Sequence, residues 1–115
     1  MTMFDERERA FENMFMHEEE TRFRALARRN KLVGAWAARQ LSLGDSEAEA
    51  YVRQSVFSVA EPDGEQRVVS RVSSDLGRMS DYWTESRVRQ ILAEFMVIAS
   101  QQVRLEPPVA RDQIV

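Results

Sequence analysis

One long N-terminal stretch that contains no proline constrains the fold of this chain more than any other feature. It predicts a single helix from about Phe4 to Leu43, with Gly44 as the C-terminal stop. At 1.5 Å per residue, such a helix is roughly 60 Å long. The remainder of a 115-residue chain is too short to cover it along its whole length. We therefore expect its N-terminal part to project, to fray or to fold back.

Three shorter helices are predicted after the long one. The chain has only four glycines and three prolines, which favours helices over a turn-rich β architecture. Ser46 and Glu49 have the spacing of a capping box, and Thr84 is a candidate N-cap. The valines of the third segment would also suit a strand. The predicted elements are a helix from Ser46 to about Val59, a turn at residues 61–64, a helix from Glu65 to about Leu76, and a helix from Thr84 to about Leu105.

The apolar pattern divides the long helix in two. Phe4, Phe11 and Phe15, with Met14 beside them, share one face, and the six residues 17–22 contain no apolar side chain. A second apolar face follows, and it includes Phe23, Leu26, Val33 and Trp36, so Trp36 is expected in the core. We expect an all-α four-helix bundle at residues 17–105, a separate N-terminal segment at 1–16 and a tail at 106–115. The Phe-bearing face is expected either to fill a groove on a partner or to fold back onto the bundle.

The net charge of −3 conceals an asymmetry along the first helix. Seven acids and two arginines lie between residues 5 and 20, and five bases without an acid follow between residues 22 and 31. Pairs in the favourable i, i+4 order are expected to stabilise the helix itself, so no nucleic-acid partner is predicted. These pairs are Asp5–Arg9, Glu18–Arg22 and Glu20–Arg24. The cluster Arg28-Arg29-Asn30-Lys31 fits a solvated face better than a phosphate site that uses the Trp36 ring for a purine.

No motif for catalysis or metal binding is present. The absence of cysteine excludes disulfides, thiolate metal sites and cysteine nucleophiles. His17 is the only histidine, and Thr21 stands where a zinc-protease motif needs a second one. The glycines are isolated, so no phosphate-binding loop is predicted. We expect no enzymatic activity, no metal and no cofactor. No apolar run approaches the ~20 residues of a membrane span, and the acidic N-terminus is unlike a signal peptide, so a cytoplasmic location is expected.

Several segments in the first half of the chain match a known sequence pattern. They are FDERERAFE from Phe4 to Glu12, Phe15, His17-Glu18-Glu19, Phe23, ARRNKLVGAWAA from Ala27 to Ala38, and Ser46 to Val52. Over about residues 4–38, and continuing through residues 46–52, the chain closely resembles the zeta subunit family of alphaproteobacterial F-type ATP synthases.

The resemblance implies a four-helix bundle whose N-terminal segment inhibits ATP hydrolysis. That segment would enter the catalytic α/β interface near the central rotor, which places the chain at the inner membrane as a peripheral subunit. ADP or ATP is implied as a regulatory ligand, and Arg28, Arg29 and Lys31 are the candidate phosphate contacts. The alternative is a stand-alone helical binding or scaffold module unrelated to ATP synthase. The positions that match the family's inhibitory motif are Phe4, Arg7, Glu8, Phe11, Glu12 and Phe15.

Overall fold

A computed structural model describes residues 2–107 of the chain, apart from the side chain of Phe15. Within this part the chain is all-α and contains no strand, so the third element is a helix, as expected. The predicted four-helix architecture is confirmed. Its elements are α1 (Met3–Gln40), α2 (Asp45–Phe57), a single 3₁₀ turn (Ser58–Ala60), α3 (Gly64–Gly77) and α4 (Glu85–Leu105).

Helix α1 is capped at both ends by local hydrogen bonds. Thr2 and Asp5 form a reciprocal capping box at its start, and both bonds measure 3.3 Å. The predicted stop at Gly44 was wrong, because the chain leaves the helix earlier, at Ser42, which has a left-handed φ of 55°. The amide of Leu43 then donates to the carbonyl of Ala38 at 3.1 Å, as in a Schellman motif.

Helix α2 starts differently from the prediction. Gly44 is its N-cap, and the amide of Ala48 donates to the Gly44 carbonyl at 2.8 Å. The capping box expected from Ser46 and Glu49 is therefore wrong, since the helix already begins at Asp45 and Ser46 lies inside its first turn. The Thr84 prediction was right: its hydroxyl accepts from the amide of Arg87 and begins α4.

The four helices run alternately up and down around one small core. Side-chain contacts pair the start of α3 with the α1 and α4 helices that flank it, and α2 lies along α1. Aliphatic residues of α1, α3 and α4 supply the interior, which is small because most of them are valines and alanines. The buried cluster consists of Val33, Ala37, Val68, Val69, Val72, Leu76, Val88 and Leu92.

Two aromatic residues expected on the core face of α1 have different surroundings. Trp36 is half-buried, packs against the core cluster, and meets Trp83 edge-on with ring centroids 5.1 Å apart. Phe23 instead remains 51% exposed. At about 100° per residue, Phe23 lies about 80° around the helix from Val33, so it points past the edge of the bundle.

The N-terminal half of α1 extends beyond the other helices. Every residue from 2 to 20 whose side chain is described is exposed, and the first buried residue of α1 is Ala25. The molecule is correspondingly elongated, with extents of 63 × 30 × 24 Å. The segment projects and does not fold back onto the bundle. We call residues 3–20 the projection.

Candidate functional site

An uncovered row of large apolar side chains runs along the projection. Phe4, Phe11 and Met14 follow one another at spacings of seven and three residues on one side of a continuous helix, and Phe4 is 75% exposed. We call these three residues the apolar stripe. Phe15, also placed on this face by the sequence, belongs to α1, and its side chain lies outside the described part of the structure. Exposed apolar rows of this kind typically mark a surface that meets a partner.

The apolar stripe continues the side of α1 that packs on α4. Further along the same side of the helix, Glu18, Arg22 and Ala25 line a shallow cavity of about 300 Å³ together with Met96 and Arg104 of α4. The turns of α1 that precede Glu18 lie beyond the end of α4 at Leu105. The stripe is therefore exposed because no helix of the bundle reaches it.

The acids of the projection are free of ion pairs. In the part of the chain that the structure describes, none of the seven acids between residues 5 and 20 forms a salt bridge. The predicted pairs Asp5–Arg9, Glu18–Arg22 and Glu20–Arg24 are thus not formed. Such pairs on an exposed helix stabilise it by only about 0.3–0.5 kcal/mol, too little to hold two mobile side chains together. Arg24 pairs instead with Glu106, at 2.8 Å.

The structure separates the three candidate phosphate contacts. Arg29 is only 6% exposed; its Nη1 donates to Glu65 at 2.8 Å, and its Nε and Nη2 donate to Asn30. Arg28 is half-buried, whereas Lys31 is exposed. The solvated-face interpretation therefore holds for Lys31 alone, and the Arg29 guanidinium is already engaged by a carboxylate.

Arg28 and Lys31 lie at a shallow cavity of about 250 Å³ between α1, α2 and α4. Phe23 and Arg24 also line it, and Val103 contributes apolar surface. Trp36, the ring considered for a purine, is not among the lining residues. We call this the Arg28 cavity. It combines cations with an exposed aromatic ring. The sequence did not predict Phe23 and Arg24 as residues of this site, because their neighbours in the cavity come from helices that are distant in the sequence.

A carboxylate of the chain itself occupies the cationic side of this cavity. Glu106 accepts from Arg28 and Arg24, and Gln102 accepts from Arg28 Nη1 at 3.0 Å. The hydrogen bond from Arg28, followed by the contact with Arg24, holds the pKa of the Glu106 carboxyl below its usual range. Glu106 is the first residue of the predicted tail, and residues 108–115 lie outside the described part of the structure.

The described residues contain no feature that would support metal binding or a bilayer span. No group of three or more histidine, aspartate or glutamate side chains lies close enough to hold a metal ion in residues 2–107. His17, the one histidine, is exposed on the projection. None of the described helices is both long and apolar enough to cross a membrane.

Comparison with known proteins adds one positive finding. The model of the family described as ATPase inhibitor subunit zeta matches residues 1–102, which include the projection and almost all of the bundle. Neither a search of curated proteins nor a search of solved structures found a match. Since the family model matches most of the length of the chain, this protein belongs to the ATPase inhibitor subunit zeta family.

Proposed function

We propose that this protein inhibits ATP hydrolysis by an F-type ATP synthase, and that the projection inserts at a catalytic α/β interface beside the central rotor. Membership of the inhibitor family supports a regulatory, non-catalytic role at an ATPase. The observation that carries the insertion mechanism is the uncovered apolar stripe on a helix that extends past its own bundle. The proposed contacts are Phe4, Arg7, Glu8, Phe11, Glu12 and Phe15.

The apolar stripe is large enough to provide the difference in binding free energy that would hold the ATPase in one catalytic state. A rotary ATPase passes through open and closed catalytic interfaces, and a ligand that prefers one state holds the enzyme there. To raise a state from about 1% to 99% occupancy takes about 5.5 kcal/mol of differential affinity. Burial of Phe4, Phe11 and Met14, at about 1.5–3 kcal/mol each, supplies that amount. The projection is already helical, which lowers the cost of ordering it on binding.

Substitution of Phe11 by alanine is expected to weaken inhibition about 10- to 100-fold, as the loss of one buried Phe side chain implies. The measurement is the concentration of protein that halves ATP hydrolysis by the cognate enzyme. Phe57→Ala is the matched control, because Phe57 on the bundle is 65% exposed and Phe11 is 66% exposed. Equal losses in both variants, or none in either, would contradict the proposed insertion of the stripe.

We also propose that ADP or ATP binds at the Arg28 cavity, with phosphate contacts from Arg28 and Lys31. Two cations beside an exposed Phe23 ring suit a ligand that has both phosphates and a base. Arg29 is left out of this role because its guanidinium is buried and donates to Glu65 and Asn30, whereas Arg28 is only half-buried. The cavity is shallow and the Glu106 carboxylate competes for Arg28, so we expect a dissociation constant between about 1 µM and 1 mM.

Replacement of Glu106 by glutamine is expected to strengthen ADP binding severalfold, because it removes the carboxylate that competes with phosphate for Arg24 and Arg28. Amide shifts during an ADP titration would measure both the site and the affinity. Glu94→Gln is the control, since it removes an equal charge from an exposed position of α4. Equal affinities in the two variants, or shifts confined to residues 77–83, would refute the Arg28 cavity as the site.

A further inference from the structure

The acids of the projection are distributed unevenly around the helix. At about 100° per residue, four of them fall in one row beside the Phe4–Phe11 line, at successive spacings of three, four and seven residues. The opposite border of the apolar stripe carries Met3 and Arg7 instead. Along residues 3–14 the surface is thus apolar in the middle and acidic along one edge only; Glu18, farther along the helix, lies on the side of the Phe4–Phe11 line that carries Arg7. We call this edge the acidic row; it consists of Asp5, Glu8, Glu12 and Glu19.

The acidic row is exposed and makes no ion pair in the described part of the chain. Asp5 contributes to the helix cap through Thr2, but its carboxylate remains at the surface. Glu8 and Glu12 are like charges at i, i+4, an arrangement that destabilises a free helix by about 0.2–0.5 kcal/mol. Cations on a partner would remove this repulsion.

We propose that the groove that receives the projection has an apolar floor and is bordered, along one edge only, by a row of Lys or Arg side chains that faces the acidic row. This inference rests on the proposed function, because it states the chemistry of the partner surface at that same site. The one-sided row also determines the orientation of the helix: rotation of α1 about its axis, or reversal of its direction, moves the acids away from the cations.

Charge disfavours the other candidate occupants of this surface. A second copy of the chain would place an equally acidic projection against the first, and most of the bases at residues 22–31 that could oppose it are engaged: Arg24 and Arg28 by Glu106, and Arg29 by Glu65. Nucleic acid and an anionic bilayer both have the sign of charge that the acidic row repels. A basic protein groove remains as the complementary surface.

Two double variants of the full-length chain test this inference. Glu8→Gln with Glu12→Gln removes two charges from the acidic row, and Glu6→Gln with Glu20→Gln removes two charges from the side of the same helix opposite the Phe4–Phe11 line. We expect the row variant to raise the half-inhibitory concentration at least about 10-fold at low ionic strength, and the control variant to raise it less than about twofold. The difference should shrink as salt approaches about 1 M, where charges are screened within about 3 Å.

The outcomes separate this inference from the function on which it rests. Equal effects of the two double variants, or a difference that salt does not change, would overturn the basic edge. If Phe11→Ala still weakens inhibition in that case, the insertion of the apolar stripe stands and only the charge complementarity fails. A wild-type chain that does not inhibit ATP hydrolysis would overturn the proposed function and this inference together.

Discussion

Removal of residues 1–16 is expected to abolish inhibition of ATP hydrolysis and to leave the four-helix bundle folded. The deleted stretch holds the whole apolar stripe and three of the four acids of the acidic row. None of its described side chains is buried against the bundle, so its loss removes little of the apolar area that stabilises the fold. The shortened helix begins at His17 and keeps Glu18, Glu19 and Glu20 in its first turn, where the helix dipole favours acids.

Two measurements decide this prediction. Thermal melting followed by helical circular dichroism should show a cooperative transition near that of the full chain, and the half-inhibitory concentration should move beyond the measurable range. A truncated chain that no longer melts cooperatively would show that the apolar stripe stabilises the bundle. A truncated chain that still inhibits would place the inhibitory surface on the bundle and would contradict the proposed insertion.

Replacement of Gly64 by alanine is expected to cost about 3 kcal/mol or more of unfolding free energy, at or beyond the upper end for an overpacked site. Gly64 is buried at the first turn of α3, directly after the turn that contains Pro62. A Cβ built there would lie 1.8 Å from the backbone carbonyl oxygen of Ser58, closer than any real contact. Because the obstructing atom belongs to the backbone, the side chain has no rotamer that would relieve the clash.

Gly77 at the other end of α3 supplies the control. A Cβ at Gly77 meets nothing within 4 Å, so Gly77→Ala should be neutral or stabilising by up to about 1 kcal/mol through the reduced entropy of the unfolded chain. Urea denaturation of the two variants gives both free energies. Similar values for the two variants would mean that the α3 start moves freely away from Ser58, contrary to the close packing seen in the structure.

The architecture was predictable because it depends on residues that are close in the sequence. Apolar spacing of three, four and seven residues identified α1 and its separate N-terminal segment, and the mismatch in helix length indicated that this segment projects, frays or folds back. The structure decided between these outcomes, because the described side chains of residues 2–20 are exposed. Helix ends were less predictable: Ser42 adopts the left-handed conformation that was expected of Gly44, and Gly44 caps the next helix instead. Several residue types can make the hydrogen bonds that end a helix. The residue at which α1 ends therefore depends on the packing of the folded chain as well as on residue type.

The sequence by itself therefore determined the helices and the amphipathic N-terminal segment of α1, since these follow from periodicity along one element. The structure decided that this segment projects from the bundle and that its acids form no ion pair in the described part of the chain. Only the tertiary structure decided which bases of the cluster at residues 28–31 are buried and which carboxylates they contact. Arg29 is buried because Glu65, 36 residues away, reaches it from α3. Arg28 is neutralised by Glu106, 78 residues away, at the end of α4. An ion pair between two helices forms only where the two side chains lie on faces that pack together. The residue spacing within either helix does not say which faces those are.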